Sequence, residues 1–255
     1  MISTKSWFAI ALFLICFAVA GPVEQVIADG PAGFAAEFSD CVESIGVGLV
    51  PTESARALVP VEFHLVGEGG PVTPLVVRTA QCGGIAVAGH RPKAGSLVQI
   101  GVVIVPPDFT GDINNYTLWY YTSDAKLAHH LTRLGVRAQH VPTIDYDYEP
   151  SSDGSLFVAV PRPGRPALSL DGTVVESENA SGSFVANWWA KADGCRVKMK
   201  TNVPEIFIGE ANLTLTTVPN GPLGQLIGGG STGFPVLQQF NTFGNARMAV
   251  RLNSR

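Results

Sequence analysis

The stretch Leu97-Val98-Gln99-Ile100-Gly101-Val102-Val103-Ile104-Val105 carries the strongest strand signal in the chain, and Pro106-Pro107-Asp108 closes it. Apart from Gln99 and Gly101, every residue in it is aliphatic, and most are β-branched. Such residues fit a pleated surface, and a continuous apolar run of this length that ends at prolines predicts a strand buried on both faces. Gln99 is then a polar side chain inside the protein.

On both sides of this strand the chain reads as further strands separated by turns. Alternating apolar and polar residues, or runs rich in β-branched and aromatic residues, predict them. Asp171-Gly172 and Asp193-Gly194 are typical hairpin turns. The predicted strands cover residues 59–65, 73–81, 84–88, 115–122, 139–148, 156–160, 167–170, 173–176, 182–190, 195–201, 206–218 and 246–252.

Three segments favour a helix instead. Residues 123–135 place Leu127, Leu131 and Leu134 on one side, after Ser123 or Asp124 as the N-cap and before a terminating Gly135. Weaker helical patterns cover residues 30–39 and 222–227. Together these elements predict a mainly β (α+β) fold, a closed or nearly closed antiparallel barrel with one packed helix.

Composition narrows the class of protein. Hydrophobic residues make up 46% of the chain and charged residues 15%, which is typical of a globular protein. The formal net charge is -4, and lysines and arginines are scattered. The basic stripe of a nucleic-acid-binding protein is therefore missing, and we expect no nucleic-acid partner.

The first twenty residues predict a secretory signal peptide. Lys5 precedes an apolar run from Trp7 to Ala20, which ends in the small residues Ala18-Val19-Ala20-Gly21. The run is shorter than the roughly 20 residues of a membrane-spanning helix. We therefore expect cleavage after Ala20, one domain over residues 21–255, no stable membrane span afterwards, and a secreted, periplasmic or extracellular location.

Three cysteines remain after cleavage, namely Cys41, Cys82 and Cys195. In an oxidising compartment two of them can form a disulfide and leave the third free. The sequence leaves all three pairings open. No two of these cysteines have the close spacing of a zinc site.

The order of elements resembles a known family. Gly95-Ser96-Leu97-Val98-Gln99-Ile100-Gly101-Val102 precedes an aromatic strand over 116–121, a short helix over 124–134 and, much later, Gly209-Glu210-Ala211-Asn212-Leu213-Thr214-Leu215. This succession resembles the acetoacetate decarboxylase-like superfamily over residues 50–250. The resemblance implies a β-cone or double β-barrel with an apolar interior pocket. It also implies a pocket lysine that forms a Schiff base with a keto acid, assisted by a glutamate on the long buried strand.

The chain departs from that family pattern at both chemical groups. Gln99 stands where the resemblance places the glutamate, and an amide cannot act as an acid or base. After the helix, Pro142 is followed by threonine and isoleucine, and no lysine occurs between Lys126 and Lys191. Lys198 and Lys200 share one strand face and are the candidates for a replacement lysine.

These observations favour a secreted small-molecule-binding protein that has lost the Schiff-base lysine. The partner we expect is a small apolar or carbonyl-bearing ligand, while self-association is left open. The alternative is a lyase, decarboxylase or cyclase that acts on a keto acid or secondary metabolite, with His140 and Glu205 as catalytic residues. A third reading is a secreted barrel related only in shape to lipocalin-like or dirigent-like proteins. The candidate ligand contacts are Gln99, Tyr116, Tyr120, Arg137 and His140.

Two further clusters contain residue types that can bind metal ions. His129 and His130 are adjacent on the predicted helix, so their side chains point about 100° apart and do not converge. The acids of Asp145-Tyr146-Asp147-Tyr148-Glu149 share one strand face, which favours a solvated surface with the tyrosines packed inward. We expect no metal and no cofactor.

Overall fold

The computed structural model describes residues 33–150, 154–161 and 168–253, so the predicted signal peptide over residues 1–20 lies outside the described residues. Within this part of the chain, the strands form one sheet on which three short helices pack. The strands are β1 (Gly33–Pro51), β2 (Val72–Val87), β3 (Lys93–Val103), β4 (Ile113–Thr122), β5 (Ala138–His140), β6 (Asp145–Glu149), β7 (Gly154–Val160), β8 (Leu168–Val175), β9 (Ala180–Ala192), β10 (Cys195–Thr217), β11 (Ser231–Gly233) and β12 (Leu237–Asn253). The helices are α1 (Thr52–Arg56), α2 (Ala125–Arg133) and α3 (Pro222–Ile227).

The sheet closes on itself as a ring. Neighbouring strands pair in the order β12-β1-β2-β3-β4-β9-β10, and β10 pairs back to β12. These pairings are antiparallel except β4 with β9, and β5 adds to β4 in parallel. Strands β8, β7 and β6 continue the sheet from the C-terminal half of β10. The predicted mainly β fold is therefore confirmed, in the form of a ring-like sheet.

Two hydrophobic cores lie on opposite faces of the ring strands. The inner core receives side chains from all the ring strands and from α2, for example Val76 and Leu97. The outer core lies between β1–β4 and the β6–β8 extension, with α1 and α3 at its edge, and takes the alternate residues Val77 and Val98. Because both faces of β3 are covered, its sequence is a continuous apolar run.

Helix α2 packs against the inner core. The side-chain oxygen Oδ1 of Asp124 accepts a hydrogen bond from the backbone N of Leu127 at 2.7 Å and so caps the helix. Leu127 and Leu131 are fully buried, and each contributes about 1.5–3 kcal/mol of burial free energy. The predicted helix is thus confirmed with its cap. None of the helices in the described ranges is long and apolar enough to cross a membrane.

A bulge between β3 and β4 depends on Gly101. The pairing register shifts between Ile100 and Gly101. A Cβ atom on Gly101 would lie 2.3 Å from the carbonyl oxygen of Tyr116 and 2.8 Å from the ring of Trp188. Only glycine allows strand β4 and this tryptophan to approach so closely.

Two local predictions are wrong. The part of residues 30–39 that the structure describes belongs to strand β1 and not to a helix. Phe34, Ala36 and Phe38 all face the inner core, and their spacing of two residues is a strand period that the helical pattern obscured. Residues 59–65 form a loop with a single β-bridge, between Leu65 and Ile104, and not a strand.

One predicted turn, and one gap between two predicted strands, are absent from the structure because the strands are longer. Asp171-Gly172 lies inside β8, opposite Phe157 and Leu156 of β7. Strand β10 continues through Pro204 from one predicted strand into the next, with register shifts against β9 at that point. A bulge absorbs the missing backbone donor of proline, as expected for proline within a sheet.

The open cysteine pairing is resolved. Cys41 and Cys82 lie directly opposite each other on β1 and β2 and form a disulfide, with a Cα–Cα distance of 4.0 Å. Cys195 is a half-buried free thiol.

Candidate functional site

A row of polar side chains crosses the inner face of the ring. Asn241 of β12 pairs with Glu43 of β1, Arg78 of β2 pairs with Gln99 of β3, and Gln99 pairs with Tyr120 of β4. Directly opposite residues on neighbouring strands point to the same face, so the register alone brings these side chains together. All five are buried, and we call them the inner polar row.

The centre of the inner polar row is a buried ion pair. The guanidinium Nε of Arg78 donates to Oε2 of Glu43 at 2.5 Å, and the side-chain amide of Asn241 donates to Oε1 of Glu43 at 3.2 Å. On the other side, Arg78 Nη1 approaches Gln99 Oε1 at 3.5 Å, and the Gln99 amide approaches the Thr117 hydroxyl at 3.5 Å. The carboxylate is therefore well satisfied, whereas the contacts of Gln99 are long.

Hydrogen-bonding capacity is left over on this row. Arg78 Nη2 makes no hydrogen bond to any residue in the described ranges. The Arg78 side chain is 10% exposed to solvent. Among the same residues, the Tyr120 hydroxyl and the Asn241 side-chain oxygen are buried without a hydrogen-bond partner. Buried polar atoms without partners are costly and rare in folded proteins, so a cluster of them requires an explanation.

Burial also sets the ionisation of Tyr120. It raises the pKa of the Tyr120 hydroxyl to about 12, while the positive charge of Arg78 acts in the opposite direction. The hydroxyl therefore stays protonated at neutral pH. It is a hydrogen-bond donor beside a cation, and such a pair of groups recognises a carbonyl or carboxylate oxygen.

The structure divides the sequence-predicted site residues into groups. Gln99 and Tyr120 are neighbours within the inner polar row. Tyr116 lies on the opposite face of β4, half-buried against Phe63 of the outer core. Burial raises the pKa of Tyr116, and the nearby charge of Arg137 opposes that shift, so these two predicted residues also lie close together. The five predicted ligand contacts do not form one cluster.

The two predicted acid–base residues are exposed. His140 ends the short strand β5, and its Nε2 lies 3.2 Å from the backbone oxygen of Ser123. Glu205 lies at the bulge in β10 and points to solvent. Arg137, just before β5, is exposed as well.

Sequence reasoning missed Glu43 and Arg78. Arg78 stands within the β-branched run of β2, where strand alternation is equally compatible with an outward side chain. Glu43 follows residues 30–39, whose sequence pattern predicts a helix. The available signal was a charged residue within each of two apolar stretches, Val76-Val77-Arg78-Thr79-Ala80 and Cys41-Val42-Glu43-Ser44-Ile45.

The described lysines lie away from the inner polar row. Lys93, Lys126 and Lys200 are exposed. The ammonium group of Lys191 pairs with Glu62 at 2.6 Å, and that of Lys198 pairs with Asp108 at 2.5 Å. On β10, Lys198 and Lys200 alternate with the inward residues Val197 and Met199, so they face outward.

No protein-family model and no curated protein matches the chain. Solved structures do match it over nearly its whole length. A structure of acetoacetate decarboxylase covers 94% of this chain and 98% of its own, with 11% identity and a TM-score of 0.58. The enduracididine biosynthesis enzyme MppR complexed with pyruvate covers 93% and 97%, with 14% identity and a TM-score of 0.56. An acetoacetate decarboxylase-like enzyme from Sphingomonas wittichii RW1 covers 89% and 95%, with 12% identity and a TM-score of 0.54.

The chain has the acetoacetate decarboxylase-like fold. The resemblance inferred from the order of elements is thereby confirmed at the level of fold. In this acetoacetate decarboxylase-like ring, the described residues contain no group of three or more histidine, cysteine, aspartate or glutamate side chains arranged to hold a metal ion. The hydrogen-bonding groups of the candidate site are Arg78, Gln99 and Tyr120.

Proposed function

We propose that this protein binds a small molecule with a carbonyl or carboxylate group on the inner polar row, without a Schiff-base lysine. The observation that carries the proposal is the set of unused donors on β2 and β4, the two strands that flank β3, namely Arg78 Nη2 and the Tyr120 hydroxyl. Gln99 lies between them and supplies a neutral amide. A ligand oxygen at this place would satisfy groups that the protein leaves unpartnered.

The electrostatics of the row suit such a ligand. Glu43 neutralises Arg78, so a full negative charge on the ligand is not required, and a ketone or aldehyde oxygen is also accommodated. The inner core around the row is apolar and aromatic, with Trp188, Phe243 and Met248 among its members. A few polar groups within apolar surroundings are typical of small-molecule sites.

Schiff-base chemistry has no support from the described lysines, since each is exposed or paired on the outside of the ring. Gln99 also occupies the place at which the family resemblance puts an acid. The alternative lyase would need His140 and Glu205, and both are exposed on separate elements. We therefore favour binding over turnover.

Export of the protein is part of the proposal. Its supports are the signal-peptide pattern over residues 1–20 and the disulfide between Cys41 and Cys82, because disulfides persist in oxidising compartments. The most useful first probe is pyruvate, because a neighbour with this fold was solved in complex with pyruvate.

The test is calorimetric titration with pyruvate and with acetoacetate, together with intact-mass analysis after borohydride treatment. We expect binding without a reduced covalent adduct. Tyr120→Phe removes one hydrogen-bond donor and should weaken binding about two- to tenfold, since a hydrogen bond contributes about 0.5–1.5 kcal/mol. Arg78→Lys keeps the charge next to Glu43 but loses the fork geometry, and should weaken binding further.

Tyr121→Phe is the matched control, because Tyr121 is equally buried but belongs to the outer core. Its affinity should equal that of the wild type. A borohydride-stable adduct mapped to one lysine would overturn the proposal and restore Schiff-base chemistry. Failure of both keto acids to bind a folded protein would contradict the ligand class.

A further inference from the structure

A second feature, separate from the inner polar row, is a concave groove of about 870 Å³ on the outer surface of the ring. Strands β10 and β12 form its floor, β1 and the hairpin between β2 and β3 form one wall, and the loop after β3 forms the other. Alternate residues of β12 from Asn245 to Asn253 line it. At about 3.3 Å per residue, these span about 26 Å.

Cations without ion-pair partners lie in this groove. Lys198 is neutralised by Asp108, but Lys200, Arg247 and Arg251 form no ion pair with any residue in the described ranges. The Nε atom of Arg247 is buried without a hydrogen-bond partner in that same part of the chain. The lining also holds Glu37 of β1, opposite Arg247, so four lysine and arginine side chains face two carboxylates. In a chain with a formal net charge of -4, this local excess of positive charge indicates an anionic ligand.

An exposed aromatic ring stands at the rim. Phe109 lies between Asp108 and Thr110, which both line the groove, and its side chain is 89% exposed. Its φ of 57° is in the left-handed region, which is strained for a large non-glycine residue. Strain of this kind is concentrated at functional sites.

The loop that carries Phe109 is held from several sides. Lys198 donates hydrogen bonds to Asp108 at 2.5 Å and to the Thr110 hydroxyl at 2.6 Å, and Asn187 donates to the Thr110 backbone oxygen at 2.7 Å. The backbone on both sides of Phe109 is therefore anchored. An exposed aromatic ring beside a polar groove offers an apolar face for stacking.

We propose that the groove binds an acidic oligosaccharide. Lys200, Arg247 and Arg251 would pair with its carboxylate or sulfate groups, hydroxyl and amide groups such as those of Ser39 and Asn202 would bind sugar hydroxyls, and Phe109 would stack on a sugar ring. The elongated shape suits several linked units better than one compact metabolite. The inner polar row is not required for this activity.

The experiment uses calorimetric titration of the purified protein with a sulfated hexasaccharide (from heparin) and a carboxylated one (hexagalacturonate), with neutral maltohexaose as the comparison ligand. We expect one or both acidic probes to bind and maltohexaose to bind far more weakly. The triple variant Lys200→Ala/Arg247→Ala/Arg251→Ala should lose at least about tenfold in affinity, because it removes three cations that would pair with the acidic groups, each partly screened by solvent. Phe109→Ala should lose about three- to tenfold, because it removes the stacking surface.

The matched control is Lys126→Ala/Arg133→Ala, which removes two exposed cations from α2, and it should bind like the wild type. Equal losses in this control and in the groove variant would mean non-specific charge attraction and would overturn the proposal. So would the absence of binding to both acidic probes. Self-association of the wild type that the triple variant abolishes, with no effect of the oligosaccharides on it, would assign the groove to a second copy of the chain instead.

Discussion

At the scale of single residues, Glu43 and Arg78 occupy inward strand positions that aliphatic residues would normally take. Buried ion pairs add little net stability, because removing both charges from water costs about as much as their attraction returns. The proposed function accounts for their presence on the inner face, since it requires the donor that Arg78 would offer to a ligand. The Glu43 carboxylate holds Nε and leaves Nη2 directed elsewhere.

Tyr120 makes the stability of the fold dependent on alkaline pH. Its folded-state pKa is about 12, above the ordinary value of 10.0, so the unfolded chain loses this proton first. Stability from this group is complete below pH 10 and is lost as the pH rises toward 12. The loss should reach about 2–3 kcal/mol, because each pKa unit corresponds to about 1.4 kcal/mol.

The measurement is urea unfolding of wild type and Tyr120→Phe at pH 9 and at pH 11. The wild type should lose more free energy of unfolding over this interval than the variant does. Other buried tyrosines contribute equally to both proteins and cancel in the difference. Identical slopes would mean that Tyr120 ionises as easily in the folded state as in the unfolded chain.

At this scale the sequence predicted part of the candidate site. Gln99 was identifiable because a lone amide in an aliphatic strand stands out. Of the two tyrosines predicted as ligand contacts, Tyr120 lies beside Gln99, whereas Tyr116 faces the other core. When both faces of a strand are covered, both are apolar, so the alternation of residues does not show on which face a given side chain lies.

At the scale of elements, the local sequence of helix α2 predicts the boundaries that the helix has in the structure. Asp124, the leucine spacing and Gly135 each indicate the same boundaries. We expect Asp124→Ala to lower the free energy of unfolding by about 1 kcal/mol, because the backbone N of Leu127 loses its capping acceptor. Urea unfolding followed by circular dichroism measures this change.

Lys126→Ala is the control for this cap, since Lys126 is an exposed residue of the same helix without a capping contact. It should change stability by less than about 0.5 kcal/mol. Asp124→Asn should retain most of the wild-type stability, because asparagine is also a good cap. A neutral effect of Asp124→Ala would mean that the packing of Leu127 and Leu131 alone fixes the start of the helix.

The strands were located more reliably than they were delimited. Proline 204 and the Asp171-Gly172 pair are ordinary end signals, yet both lie inside long strands. Partner strands on each side supply enough hydrogen bonds and packing to carry the chain through these residues. Local propensity predicts where a strand begins, whereas its length depends on neighbours that are distant in sequence.

At the scale of the whole molecule, the pattern of strands and turns predicted a closed or nearly closed barrel but not which strands close it. Closure depends on β12 pairing with both β1 and β10, and on the parallel contact of β4 with β9. Strands β1 and β12 lie at opposite ends of the described residues, and β5 to β8 lie between β4 and β9 in the sequence. Local patterns do not select such partners, because each pattern reports only on its own segment.

The disulfide between Cys41 and Cys82 should be a global stabiliser of this ring. It closes a loop with a sequence separation of 41 residues, and it joins the neighbouring strands β1 and β2. Cross-linking limits the unfolded chain more than the folded one, so Cys41→Ala/Cys82→Ala should lower the free energy of unfolding by about 2–4 kcal/mol. Urea unfolding of the oxidised wild type, the reduced wild type and this variant measures the difference.

Cys195→Ala serves as the control, because Cys195 is a free thiol. Reduction should still lower the free energy of unfolding of this control variant. If oxidised and reduced wild type unfold at the same urea concentration, the pairing of strands β1 and β2 alone holds this part of the ring.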